Sequence, residues 1–175
     1  EEKSSYWLRL LDNPEGFDEK ITVAAAFSLH DSSGKGSTSN GVSKLRVQPV
    51  DAGDTCIYFP AVKETSGLRF HIHAPFASTV ARDSVRDDPG NAKLVAAIGA
   101  LIVRELPALR DQGLLDDGLL SALPNIDDVL VAPYSEIRRA VYVAFNETAL
   151  TPVFGGGEFL PAQQLIQSPT EFRAG

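Results

Sequence analysis

The sequence predicts an α+β domain, and two observations carry that prediction. Short apolar segments with strand character fill the first half of the chain, and apolar residues at helical spacing fill the second. A parallel doubly wound fold would alternate strands with helices, and that order is not seen. The 175 residues suit one ordinary domain, and a 43% apolar share is enough for a sizeable core.

In order, Tyr6 to Leu11 is a short apolar run, stopped by the turn-rich Asp12-Asn13-Pro14-Glu15-Gly16. Ile21 to Leu29 reads as a mostly buried strand whose alanines leave room for something large above them. Asp31 to Gly41 has no apolar residue and reads as an exposed loop. Leu45 to Val47 is a weak strand, and Thr55 to Phe59 and Leu68 to His73 are stronger ones, the last alternating with period two. Leu94, Ile98, Leu101 and Ile102 mark a long helix, with Asn91 as its expected N-cap and Pro107 as its expected kink or end. A short helix is expected over Asp116 to Ala122, and another from near Pro133 with Ile137, Val141 and Phe145 facing inward. A hairpin turning at Gly155-Gly156-Gly157 and a last short helix from Pro161 to about Ile166 complete the chain. The expected organisation is therefore a sheet plus long helix over 1–115, with a helical extension over 116–175 packed on the same domain.

Charge excludes some functions. The chain carries 16 Lys and Arg against 23 Asp and Glu, a net charge of −7, so a generally basic surface for nucleic acid or anionic lipid is excluded. No run approaches the ~20 apolar residues of a membrane helix, and no signal peptide is present; a cytoplasmic location is expected. One cysteine rules out an internal disulfide and a Cys-rich zinc site. Absence of methionine and a start at Glu1-Glu2-Lys3 suggest a piece of a longer polypeptide.

Several constellations invite chemistry and fall short. Ser33-Gly34-Lys35-Gly36-Ser37 resembles the end of a P-loop, but Leu29 stands where the first glycine is required and no helix follows. His71 and His73 project to one face of a strand and could share a metal, but no third ligand is evident. Cys56 lies within an apolar strand, where a thiol is inert packing, and no G-x-S-x-G elbow exists. Gly67 to Asp88 is more informative: a strand ends at Ala74-Pro75, small residues follow, and a helix is expected from near Ala81 with Ser78 or Thr79 as cap. Arg82 and Arg86 would then share one face of its first turns. Arginines oppose the macrodipole there, which suggests a cluster that meets an anion, phosphate being a usual bidentate partner.

His71-Ile72-His73-Ala74-Pro75-Phe76-Ala77-Ser78-Thr79-Val80-Ala81-Arg82-Asp83 resembles the catalytic-loop region of the second domain in ATPases of the gyrase, heat-shock-chaperone, histidine-kinase and MutL superclass. It is nearest the sacsin-like version, in which Phe76 and Arg82 keep the family spacing; Ile57 to Pro60 and Lys63 to Leu68 match that pattern too. Arg86 stands where the heat-shock chaperones carry glutamine, and the superclass's nucleotide-pocket motifs are missing from this chain. The resemblance implies a ribosomal-protein-S-five-like transducer fold with a mostly antiparallel sheet. It further implies ATP and magnesium bound by an N-terminal ATPase domain of the same polypeptide, and a protein client. Arg82 would reach the γ-phosphate and Arg86 would assist, while Phe76, Ser78 and Thr79 support the loop; no metal or other cofactor is expected in this piece. Two alternatives remain: a protein-interaction module in which Arg82 is only structural, and an independent enzyme in which His71 and His73 hold a metal.

Overall fold

The computed structural model describes residues 6–17, 20–31, 45–155 and 157–165. Five strands form one sheet: β1 (Tyr6–Asp12), β2 (Val23–Asp31), β3 (Leu45–Gln48), β4 (Thr55–Cys56) and β5 (His71–His73). β2 is the central element. It pairs antiparallel with β1 along one edge; on the other, β3 takes Ser28 to Asp31 and β5 takes Ala24 to Ala26.

Two strand expectations are corrected. β4 covers only Thr55 and Cys56 and runs parallel to β5, so the sheet is mixed and mostly antiparallel. Tyr58 and Phe59 turn outward because the Ile57 N–H folds back onto the Phe59 carbonyl and the Ala61 N–H onto that of Thr55. Leu68 and Phe70 are buried as expected, yet they stand outside the ladder. The carbonyls of Leu68 and Arg69 are taken instead by the N–H groups of Gly53 (2.8 Å) and Val50 (3.0 Å). That crossing requires glycine at 53, where a Cβ would lie 1.9 Å from the Phe70 carbonyl oxygen.

The period-two alternation sorts the sheet into two faces. Leu10, Val23, Ala25, Phe27 and Ile72 point into the core, where Phe27 stacks on Phe70 at 4.6 Å between centroids. β2 is therefore buried on one face, with Ala24, Ala26 and Ser28 half-buried on the other.

α1 (Pro89–Asp111) crosses the core face. Asp88, rather than Asn91, is its N-cap, accepting from the Gly90 N–H, with Pro89 in the first turn where a missing N–H costs nothing. Leu94, Ile98, Leu101, Ile102 and Leu106 are all buried, which at ~2 kcal/mol each contributes on the order of 10 kcal/mol. This also explains why Pro107 does not end the helix. A proline inside a helix costs ~3 kcal/mol, and the buried Leu106 and Leu109 on either side offset about that much.

α2 (Asp117–Ala122) is capped by Asp116, whose carboxylate accepts the Gly118 and Leu119 N–H groups, and packs against β3. α3 (Ser135–Glu147) packs on α1 through Ile137, Val141 and Ala144, with Phe145 half-buried. β6 (Thr151–Pro152) and β7 (Phe159–Leu160) form the expected hairpin. The last helix is a single 3-10 turn, Ala162–Gln164; Ile166 and the glycine-lysine loop around Lys35 lie outside the described residues. One continuous apolar core draws on both the sheet half and the helical half, from Leu10 to Leu150.

Candidate functional site

The chain leaves β5 through the buried Ala74 and Phe76, and Phe76, only 3% exposed, anchors the segment beyond it. That segment is a hairpin over residues 77–86, and not the expected helix. Ser78 bridges Val85, the Thr79 N–H reaches the Ser84 carbonyl, and the Arg86 N–H reaches that of Ala77. Ser78 and Thr79 are therefore the outgoing arm rather than helix caps. Arg82 sits in the turn and Arg86 on the return arm, so they share no helix face.

The clamp at the base of this hairpin is Asn91, buried inside the first turn of α1. Its amide oxygen accepts the Ala77 N–H at 2.8 Å, and its nitrogen donates to the carbonyls of Ala77 (2.8 Å) and Arg86 (2.7 Å). A hairpin carries unpaired backbone groups where it meets the body of a protein, and one carboxamide supplies both donor and acceptor there. Local sequence suggests this asparagine as the helix cap and misses its role as a clamp; the dipeptide Asp88-Pro89 is the signal that places the cap correctly.

Two more side chains fix the hairpin from outside. The Lys63 ammonium meets the Asp83 carboxylate at 2.6 Å, and the Lys63 N–H meets the Asp83 carbonyl at 2.8 Å. The hydrogen bond from Lys63, then that from Thr79, holds the Asp83 carboxyl below its ordinary value, and Asp83 in turn holds the Lys63 ammonium above its own. Glu64 spans a longer distance. It accepts the Val85 N–H at 2.8 Å with one oxygen and the Tyr134 hydroxyl, just before α3, at 2.7 Å with the other. Burial, followed by this bond to a carboxylate, pushes the Tyr134 hydroxyl well above the usual tyrosine range.

Arg82 is exposed, and its φ of 57° makes it the one non-glycine residue in the left-handed region among those described. Such a conformation costs a side-chain-bearing residue about 1–2 kcal/mol. Its guanidinium forms no ion pair with a described residue: Asp83 is occupied by Lys63, and Asp88 by Arg86 at 3.3 Å. Arg86 is thus tethered where Arg82 is not. Beside Arg82 lies a cleft of about 200 Å³ bounded by Ile57, Tyr58, Phe59, Phe76 and Ser78. Tyr58 and Phe59 in its wall are exposed, as are Val62 and Val80 in the neighbouring segments of the chain, and no periodicity in the sequence announces them.

The histidines lie elsewhere, on the sheet face turned away from the core. His71 Nδ1 accepts the Asp54 N–H at 2.9 Å, and its ring meets Trp7 edge-on at 4.9 Å. Among the described residues no three His, Cys, Asp or Glu side chains are grouped to hold a metal. The Cys56 thiol is pushed up by burial and then by the charge of Asp54, which is the reverse of an activated nucleophile. No described helix is long and apolar enough to cross a membrane.

No protein-family model, curated protein or solved structure matches the chain.

Proposed function

We propose that this chain is the transducer-type second domain of a sacsin-like ATPase, of ribosomal-protein-S-five-like fold, working in the cytoplasm with a protein client. In this reading ATP and magnesium are held by an N-terminal domain of the same polypeptide, and Arg82 is presented to the γ-phosphate. The observation that carries the reading is the state of Arg82: exposed, without an ion pair among the described residues, and held in a left-handed turn by a hairpin whose base is clamped. A cation fixed in place before charge develops stabilises a phosphoryl-transfer transition state without reorganising, which is the largest contribution of its kind. Phe76 and Asn91 fix where the hairpin starts and ends, and the arm of Ser78 and Thr79 sets the distance to Arg82. Arg86, paired with the cap of α1, orients the return arm. The fragment alone neither binds ATP tightly nor hydrolyses it.

The test uses the full polypeptide. Arg82→Ala leaves ATP affinity unchanged by calorimetry, while steady-state hydrolysis falls by roughly 10²–10³. Arg86→Ala is milder. Undiminished turnover in Arg82→Ala overturns the proposal.

The exposed Tyr58, Phe59, Val62 and Val80 favour a second reading, an interaction module without catalytic role. Under it, Tyr58→Ser weakens partner binding while Arg82→Ala changes no rate.

A further inference from the structure

β1 is an edge strand without the features that ordinarily protect an edge. It ends the sheet order and pairs with β2 along one side only. Alternate residues of such a strand turn their N–H and C=O groups away from the partner strand. Among the described residues no backbone group bonds to them on that side. Natural edges are blunted by proline, lysine, a bulge or shortness. β1 has seven residues, none of them proline or lysine, and its register with β2 runs from end to end without a bulge. Tyr6, Trp7 and Leu11 on it are 48%, 42% and 59% exposed. An open ladder of this kind is completed by another strand.

The residues of the edge define which strand fits. Two copies related by a two-fold axis perpendicular to the sheet pair antiparallel with like faces together, so odd positions meet odd and even meet even. The registers that keep most of β1 paired are centred on Leu8, Arg9 or Leu10. Centring on Arg9 sets two guanidiniums directly opposite, which is destabilising. Centring on Leu10 sets Leu8 against Asp12, whose carboxylate is already held by Arg104 at 2.9 Å. Centring on Leu8 creates no conflict. Each Arg9, exposed and without an ion pair among the described residues, then lies opposite the other copy's Trp7, cation against ring. On the core side Leu8 meets Leu8, and the exposed Tyr6 meets Leu10. The chain's net charge of −7 opposes association only at long range, because Arg9 is the one unpaired charge of the strand among the described residues; salt screens that repulsion.

We propose that this chain forms a two-fold symmetric dimer by antiparallel pairing of β1 with β1 of a second copy, in the register centred on Leu8, so that two sheets become one. This inference is independent of the role of Arg82.

The test is sedimentation velocity on the 175-residue chain over a series of concentrations on the order of 1–100 μM. A dimer grows with concentration, and more readily at about 0.15 M salt than at low salt. Trp7, the only tryptophan, reports the same event by an emission shift to shorter wavelength as its ring is covered. Arg9→Glu removes both Trp–Arg pairs and weakens the dimer at least about fivefold. Trp7→Lys places a lysine on the edge and abolishes it. Circular dichroism of both variants stays unchanged, because both side chains are exposed. In a Cys56→Ser background, mild oxidation cross-links Leu8→Cys, whose α-carbons face each other at about 5 Å, and does not cross-link Arg9→Cys. A chain that stays monomeric throughout overturns the proposal and leaves the edge to a strand of another protein. So does a dimer that Trp7→Lys and Arg9→Glu both leave intact, or cross-linking through Arg9→Cys in place of Leu8→Cys.

Discussion

Residues 77–86 and α1 are neighbours in the chain and are held by opposite kinds of interaction. α1 is fixed by a stripe of five aliphatic side chains pressed against the sheet, a non-directional force proportional to the area removed from water. The hairpin buries little at its tip, where Val80 is fully exposed. It is fixed by directional bonds from Asn91, Lys63 and Glu64, all of them outside the hairpin itself. The first kind of order survives many substitutions of similar volume, and the second depends on individual atoms. A turn whose backbone is held while it stays in solvent needs the second kind, because apolar contacts would pack it down onto the body of the domain.

This contrast can be broken most forcefully at Ile98, which has no exposed surface. Ile98→Asp buries an unpaired carboxylate and costs at least ~3 kcal/mol, a large part of the stability of an ordinary domain. Thermal and urea unfolding should show both regions lost together. Asn91→Ala comes next. It leaves the Ala77 N–H and the Arg86 carbonyl without partners, while the Ala77 carbonyl keeps the Arg86 N–H; at about 1 kcal/mol or more for each orphaned group, stability falls by roughly 2–3 kcal/mol. Here the two regions should separate: helical content persists, while amide exchange at Ala77 and Arg86 accelerates. Uniform protection in that variant would show that the clamp is dispensable. Arg82→Gly is the smallest and sharpest probe. Glycine accepts a φ of 57° freely, so stability stays level or rises by up to about 1 kcal/mol in chemical denaturation. A loss of stability would mean that the guanidinium, and not the backbone alone, is part of the scaffold.

The same contrast explains what can be read from the sequence. α1 is legible because Leu94, Ile98, Leu101 and Ile102 repeat at the helical period, and α3 because Ile137, Val141 and Phe145 do. The α+β class follows from that order of elements. The hairpin reads as the start of a helix because Thr79 and Asp83, which bond to each other across its turn, are equally at home in the first turn of a helix. The left-handed position is filled by arginine, which has no preference for it, instead of by the glycine or asparagine that would announce it. The bonds that hold the hairpin to the rest of the domain come from Asn91, Lys63 and Glu64, and periodicity carries no information about such partners. The parallel pairing of β4 is hidden for a related reason: its direction is set by the route of residues 49–54 across Leu68 and Arg69, which depends on one close approach at Gly53. At the candidate site, Arg82 and Phe76 are pointed to by the family resemblance, whereas nothing in the sequence points to the clamp or to the exposed Tyr58 and Phe59.

Glu64 stands across the boundary between the two regions. Its carboxylate is shared between the return arm of the hairpin and the hydroxyl that leads into α3. A displacement of that helix start therefore cannot relax locally: it must either break a bond to a charged acceptor or carry Val85 along with it. In energetic terms the effects of changes in the hairpin and at the head of α3 do not add. A side chain of modest size thereby turns two neighbouring substructures into one thermodynamic unit, and the position of the Arg82 turn becomes a property of the helical half as much as of the loop that bears it.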